Sequence, residues 1–231
     1  MKIAVIGTGM VGRALAAALD GLGHEVAIGT RSVEHTLSRT EPDAFGSPPL
    51  SQWLRDHPGV TLLSFADAGA RSEVIVNATN GAVSLDALAA VGAENLAGKV
   101  LLDVALPLDV TQGMPPALTI VNTDSLAEQI QRAFPKARVV KSLNTVTYTV
   151  MVNPTLLPGE HSLFIAGNDA EAKQVVRELL TGFGWPAPAI IDLGDITGAR
   201  GAEMYSRLYF TLTEVLGTYE FNIQLVRPRN T

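Results

Sequence analysis

The chain has 231 residues, with 17 Lys and Arg against 23 Asp and Glu and a formal net charge of −6 at pH 7; its isoelectric point lies near 5.2. With 47% hydrophobic and 17% charged residues it is no disordered or solvating polypeptide, and an acidic chain without a basic run suits neither nucleic acid nor an anionic membrane. The lack of cysteine rules out disulfides, thiolate metal sites and cysteine nucleophiles and fits a cytoplasmic setting, while no apolar stretch reaches the roughly eighteen residues of a membrane span.

Lys2 to Ile6 is a short β-branched run bounded by glycine and reads as a buried parallel strand. Met10 to Leu22 then sets Val11, Leu15, Ala18, Leu19 and Leu22 on a helical stripe, which Gly21 and Gly23 stop. Glu25 to Ile28 follows as a second strand, so the opening segment is a βαβ unit with a right-handed crossover. Its first turn, Gly7-Thr8-Gly9-Met10-Val11-Gly12, fits G-x-G-x-x-G. The first glycine allows the tight turn and the second lets backbone approach a pyrophosphate. The third allows close helix packing, and the free N–H groups at the helix start face the anion. A site for NAD usually carries Asp or Glu at the end of the second strand. Here the chain reads Thr30-Arg31-Ser32: a guanidinium that can pair bidentately with a 2′-phosphate, flanked by two hydroxyl donors. The cofactor expected is NADP(H).

Residues 32 to 60 read as loop, with a short helix from Ser51 to His57 capped by Ser51. Strands are expected at Val60 to Leu63, Glu73 to Thr79, Lys99 to Val104 and Arg138 to Leu143. Helices are expected at Ala66 to Ala70, Ser84 to Val91 and Ser125 to Phe134, the last capped by Asp124 or Ser125 with Glu128 completing a capping box. This alternation predicts an α/β fold: a doubly wound parallel sheet of Rossmann type over residues 1–144. Residues 145–231 change rhythm and are read as a smaller C-terminal α+β domain. It holds strands at Ser162 to Ala166 and Ala189 to Leu193, a helix capped by Asn168 or Asp169, and a long helix from Ile196 to about Val215. Met204, Leu208, Leu212 and Val215, with Tyr205, Tyr209 and Phe210, give that last helix an apolar face in need of a partner, and a homodimer is expected.

Ligands of open α/β sheets lie outside the carboxyl ends of the strands. The strand ends at Asn77-Ala78-Thr79-Asn80, at Ala105 and at Asn144 are therefore expected to border the ribose and nicotinamide, with Ala78, Thr79 and Val146 small enough for a stacked planar ring. The four histidines (His24, His35, His57, His161) lack metal spacing, and no metal site is expected.

Four segments in order, MKIAVIGTGMVGRALAAALDGLGHEVAIGTRS, VVKSLNTVTYTVMVNP, LFIAGNDAEAKQVVRELLTGFGW and IDLGDITGARGAEMY, together resemble the coenzyme F420-dependent NADP oxidoreductase family. The first also resembles the cytosolic domain of six-transmembrane metalloreductases. The resemblance implies hydride transfer between nicotinamide C4 and deazaflavin C5. It matches the glycine turn and Thr30-Arg31-Ser32 to the NADP motif, places Asn144 to Val146 beside the nicotinamide, and aligns Arg200 and Glu203 with the polar start of the last helix. A flavin-like acceptor is compatible with the same reading.

Two other readings stay open at this point. A reductase of a small imine, ketone or hydroxy acid needs a proton donor, for which Lys141 with Asn144 as orienter is the candidate; yet Lys141 can equally point outward and remain solvated, as most lysines do. The other is a non-enzymatic NADP(H) sensor whose C-terminal helices bind a partner. Hydride exchange between two bound rings needs only orientation in a dry cleft, so no catalytic acid or base is assigned beyond the positioning candidates Asn144, Val146 and Lys141.

Overall fold

The computed structural model describes residues 1–43 and 46–228. Its elements run β1 (Lys2–Ile6), α1 (Met10–Gly21), β2 (Glu25–Thr30), α2 (Val33–Ser38), α3 (Leu50–Asp56), β3 (Val60–Ser64), α4 (Phe65–Arg71), β4 (Val74–Asn77), α5 (Ser84–Val91), α6 (Ala93–Leu96) and β5 (Val100–Asp103). A two-stranded ribbon, β6 (Leu108–Asp109) and β7 (Ala117–Leu118), leads to α7 (Leu126–Ala133), β8 (Arg138–Ser142), α8 (Tyr148–Val152), β9 (Leu163–Gly167), α9 (Ala170–Gly182), β10 (Ile190–Asp192) and α10 (Ala199–Leu216). Eight strands form one sheet in the order β10-β9-β8-β5-β4-β1-β2-β3. Every neighbouring pair is parallel except β8 and β9, where Val140 faces Gly167 and Ser142 faces Ile165 in antiparallel register.

Alternation along each strand feeds two cores, one per face of the sheet. Ile3 and Val5 pack with Leu15 and Leu19 of α1, Val150 of α8 and Val176 and Leu180 of α9. Ala4 and Ile6 pack on the other face with Leu88 of α5 and Ile130 of α7. The strands after Asn144 extend this sheet, so the α+β segment that begins there is continuous with the first part. After α10 an extended segment returns to the start of β9, where the Ser162 amide donates to the Ile223 carbonyl at 2.8 Å.

Several local expectations hold. Gly21 closes α1, and Gly23 at φ 81° turns the chain into β2. Ser125 caps α7 with Glu128 in reciprocal contact: Ser125 Oγ donates to Glu128 Oε2 at 2.7 Å and accepts from the Glu128 amide at 3.1 Å. Asp169 caps α9 by accepting from the Ala172 amide. Others need correction. The expected loop over 32–60 contains α2, capped by Ser32, whose hydroxyl accepts from the His35 amide; residues 44 and 45 of that loop lie outside the described residues. Ser51 is not a cap, because burial of Leu50 starts α3 one residue earlier, with Pro49 preceding it.

The last helix turns a different face inward than its apolar stripe suggested. Ala199, Ala202, Glu203, Ser206, Tyr209 and Thr213 are buried, and Tyr209 stacks on Phe221 with ring centroids 4.7 Å apart. Leu208 remains 53% exposed and Val215 77%. The physical reason is close approach: small and hydrogen-bonding residues let α10 lie against the strand ends, which a leucine stripe would hold off.

Candidate functional site

The site begins at the turn between β1 and α1. Gly7 adopts φ 127°, and a Cβ there would stand 2.5 Å from the Ala78 carbonyl oxygen; a Cβ on Gly12 would stand 2.2 Å from the Gly7 carbonyl oxygen. These two positions therefore admit only glycine. Gly9 differs: it is exposed, with ordinary extended backbone and nothing within 4 Å of a would-be Cβ. It is the N-cap of α1 yet provides no side-chain cap, and the first turn carries no acidic residue. The first N–H groups of a 12-residue helix are thus left facing an open backbone cradle, the arrangement that accepts a pyrophosphate. Thr8, Met10 and Val11 are half-buried around it.

Arg13, which the sequence reading missed, braces this turn. Its Nε donates to the Thr8 carbonyl at 2.9 Å and its Nη1 to the Pro48 carbonyl at 2.5 Å, tying the glycine turn to the loop before α3. Burial draws its guanidinium below the usual arginine range, with Asp43 acting in the opposite direction. A groove of about 400 Å³ beside it is walled by Met10, Ala14, Ala17, Trp53 and Tyr148.

At the end of β2, Thr30 is buried with its hydroxyl 2.7 Å from that of Thr36, while Arg31 and Ser32 are exposed. Arg31 makes no ion pair or hydrogen bond among the described residues, so its guanidinium is free for an anion. Arg39, at the far end of α2, lies 3.5 Å from His35 across one turn. A 2′-phosphate fits this charge pattern, and a ribose-binding carboxylate is missing from it.

The ends of β4, β5 and β8 are joined by a buried polar network. Asn77 Nδ2 donates to Asp103 Oδ1 at 2.8 Å and to Ser84 Oγ at 3.2 Å, and Thr79 Oγ1 donates to Asn77 Oδ1 at 2.7 Å. Lys141 Nζ lies 2.9 Å from Asp103 Oδ2 and 3.0 Å from Glu203 Oε1, and it also donates to the Ala105 carbonyl. Glu203 in turn accepts from the Leu126 and Ala127 amides at 2.8 and 3.1 Å, capping α7 from across the fold. Burial alone pulls the Lys141 ammonium down, but Asp103 and Glu203 outweigh it and hold its pKa above the ordinary lysine value. Beside this network Arg200 grips Glu128 at 2.6 and 2.9 Å, and that hydrogen bonding keeps the Glu128 carboxyl below its usual range.

The expectation that Lys141 points outward is therefore overturned. It is 1% exposed, because β8 is an interior strand with α10 laid across its end. The same enclosure prevents it from reaching a substrate as a proton donor. Asn144 and Val146 are buried too. The Asn144 side chain donates to the Ala202 carbonyl at 2.8 Å, which fastens α10 to the strand end, and Val146 sits in the core at 4% exposure. Val146 is hence no wall of an open cleft. Leu143, just before them, is fully buried at φ 65°, a left-handed conformation that costs a non-glycine residue about 1–2 kcal/mol. Packing on both sides holds it there, and it turns the chain sharply at the strand end. Two residues on, the Thr145 hydroxyl is buried without a hydrogen-bond partner among the described residues. Ala78 and Thr79 are half-buried, Asn80 is exposed and caps a short turn through the Ala82 amide, and the Ala105 backbone is taken up by the network. Among the described residues no group of three metal-ligating side chains converges, and no helix is long and apolar enough to cross a membrane.

A glycine turn at a parallel βαβ unit, an uncapped helix start and a basic residue ending the second strand define a Rossmann-type dinucleotide-binding fold. The family model for NADP oxidoreductases, coenzyme F420-dependent, matches residues 2–107. A crystal structure from Arthrobacter sp. FB24, named as a candidate F420-dependent NADP reductase, is 56% identical with a TM-score of 0.92, over 98% of this chain and 100% of that one. The chain belongs to the coenzyme F420-dependent NADP oxidoreductase family. The F420-dependent NADP reductase of Methanocaldococcus jannaschii is 26% identical over 92% of both chains. The rat metalloreductase STEAP3 is 25% identical over 87% of this chain, which spans 36% of that protein's length.

Proposed function

We propose that the protein is an NADP(H)-dependent enzyme that passes hydride between the nicotinamide and a deazaflavin such as coenzyme F420, or a flavin-like acceptor. The observation that carries this reading is the pairing of an open, uncapped glycine turn with Arg31 just after β2, exposed and without a partner among the described residues. Residues 1–144 hold the dinucleotide: the glycine turn takes the pyrophosphate, Arg31 and Ser32 the 2′-phosphate, and the ends of β4, β5 and β8 border the nicotinamide. Residues 145–231 roof that end of the sheet through α10. When bound, NADPH supplies the hydride; the protein contributes orientation and exclusion of water. A reductase of small imines or ketones needs a proton donor, and the enclosed Lys141 does not provide one. Names of relatives support the acceptor class, and a purified-protein assay with NADPH against F420, a flavin and a carbonyl panel tests it. Turnover of the carbonyl panel alone would overturn the reading.

Calorimetric titration tests the cofactor. NADP(H) is expected to bind more tightly than NAD(H), and Arg31→Ala to lose about 1.5–3 kcal/mol of NADP(H) binding, the worth of a charge-assisted phosphate contact. Equal affinities, or an unaffected Arg31→Ala variant, would refute the assignment.

We further propose a homodimer joined through the outward face of α10. Leu208, Val215 and Leu216 stand exposed along α10 with Leu212 half-buried between them, and Tyr219, Leu225 and Val226 of the following segment are exposed as well. Light scattering at micromolar concentration is expected to report twice the 24.4 kDa chain mass. A Leu208→Glu variant is expected to report the single chain.

A further inference from the structure

We infer that the enclosed Asp103–Lys141–Glu203 group carries a surplus negative charge that favours the oxidised, cationic form of a nicotinamide ring bound over the strand ends. This rests on the placement of the nicotinamide in the preceding reading. The side chains of all three residues are sealed from solvent. Around the acids every close partner is a donor. Asp103 receives Asn77 Nδ2, the Ala105 amide and Lys141 Nζ; Glu203 receives the Leu126 and Ala127 amides and Lys141 Nζ. Surroundings made only of donors belong to ionised carboxylates, which can only accept. Two carboxylates and one ammonium leave one negative charge.

The start of α7 offsets part of that charge at Glu203, and the neighbouring Arg200–Glu128 pair is neutral in sum. The remainder sits at the last residue of β5 and the last but one of β8, where water does not screen it. A dihydronicotinamide ring is neutral and becomes a cation once it has given up hydride, so a fixed negative charge acts on one redox form only. At an effective dielectric near 20, one net charge about 10 Å from a cationic ring would change relative affinity by about tenfold. For a two-electron couple that is about 30 mV. Bound NADPH would thereby be made the stronger reductant. Asp103, Lys141 and Glu203 act as positioning and charge-setting residues, without touching the reacting atoms.

The test measures dissociation constants of NADP+, NADPH and 2′-phospho-ADP-ribose, which lacks the ring, for the wild type and for Glu203→Gln and Asp103→Asn. The wild type is expected to bind NADP+ at least as tightly as NADPH. Each variant is expected to raise the ratio Kd(NADP+)/Kd(NADPH) by about tenfold while its affinity for the ring-free fragment stays unchanged. A purely structural role would weaken all three ligands together. A wild type that binds NADPH more than about tenfold tighter than NADP+, or a folded variant whose ratio does not move, overturns the inference. Failure of the wild type to bind the fragment would instead strike the cofactor reading, so the two failures are distinct.

Discussion

Lys141→Met is expected to destabilise the protein by about 3–5 kcal/mol, the cost of leaving buried charge without its partner. Methionine fills most of the lysine volume, so packing is nearly kept while Asp103 and Glu203 face each other with no cation between them. The Ala105 carbonyl loses its donor as well. Urea denaturation at neutral pH checks this, with Lys2→Met as the control. Lys2 pairs with Glu25 at 3.8 Å, but both side chains are more than half exposed, and water and salt leave such a pair at about 0–1 kcal/mol. A Lys141→Met loss no larger than that of Lys2→Met would mean that the interior network is hydrated in solution.

Two glycines of one turn are expected to differ in stability, though not in cofactor loss, when given the same methyl group. Gly12→Ala should cost stability and cofactor together, because its Cβ would stand 2.2 Å from backbone oxygen of Gly7; overpacking of this kind costs about 1–3 kcal/mol or more. Gly9→Ala should leave stability within about 0.5 kcal/mol, since its backbone is ordinary extended chain and its surroundings are open. Its methyl group would, however, stand where the pyrophosphate must approach, and NADP(H) affinity should fall at least about tenfold, or 1.4 kcal/mol. Thermal melts with and without NADPH separate the two cases. A Gly9→Ala variant with full NADPH stabilisation would show that the dinucleotide does not use this turn.

Features set by neighbours in sequence were legible before the structure. The glycine turn declares itself because strand, turn and helix follow within the opening segment, and the Ser125–Glu128 box because its partners are three residues apart. Arg31 stands out as a basic residue just after the second strand where a carboxylate is missing, and the structure leaves its side chain exposed. The misreadings at the site involve distant partners. Lys141 looks like any strand lysine until Asp103, 38 residues earlier, and Glu203 on the last helix close around it. The inward face of α10 was hidden for the same reason: Ala202 and Glu203 face inward because Asn144 and Lys141 need them, while periodicity ranks the leucines first. The antiparallel β9 leaves no mark in its own residues, since register is fixed by what lies beside it. Arg13 had a weak signal, a charged residue one position after the third glycine on a helix whose other charge, Asp20, lies in the last turn, but its acceptors, Thr8 and Pro48, are carbonyls that no side-chain pattern reveals.

The three-part charge group also imposes an order of assembly. Asp103 and Lys141 stand on adjoining strands, β5 and β8, and as a pair they are neutral, so these two strands can pair before α10 is in place. Glu203 arrives later, and its carboxylate finds two open amides at the start of α7 as well as a shared ammonium. Docking of α10 therefore seals a helix end that would otherwise stay hydrated, and it completes the enclosure of Lys141 in the same step. A nascent chain that lacks this helix should hold its strands together yet expose the Leu126 and Ala127 amides to fast hydrogen exchange, and their protection would time the arrival of the last helix.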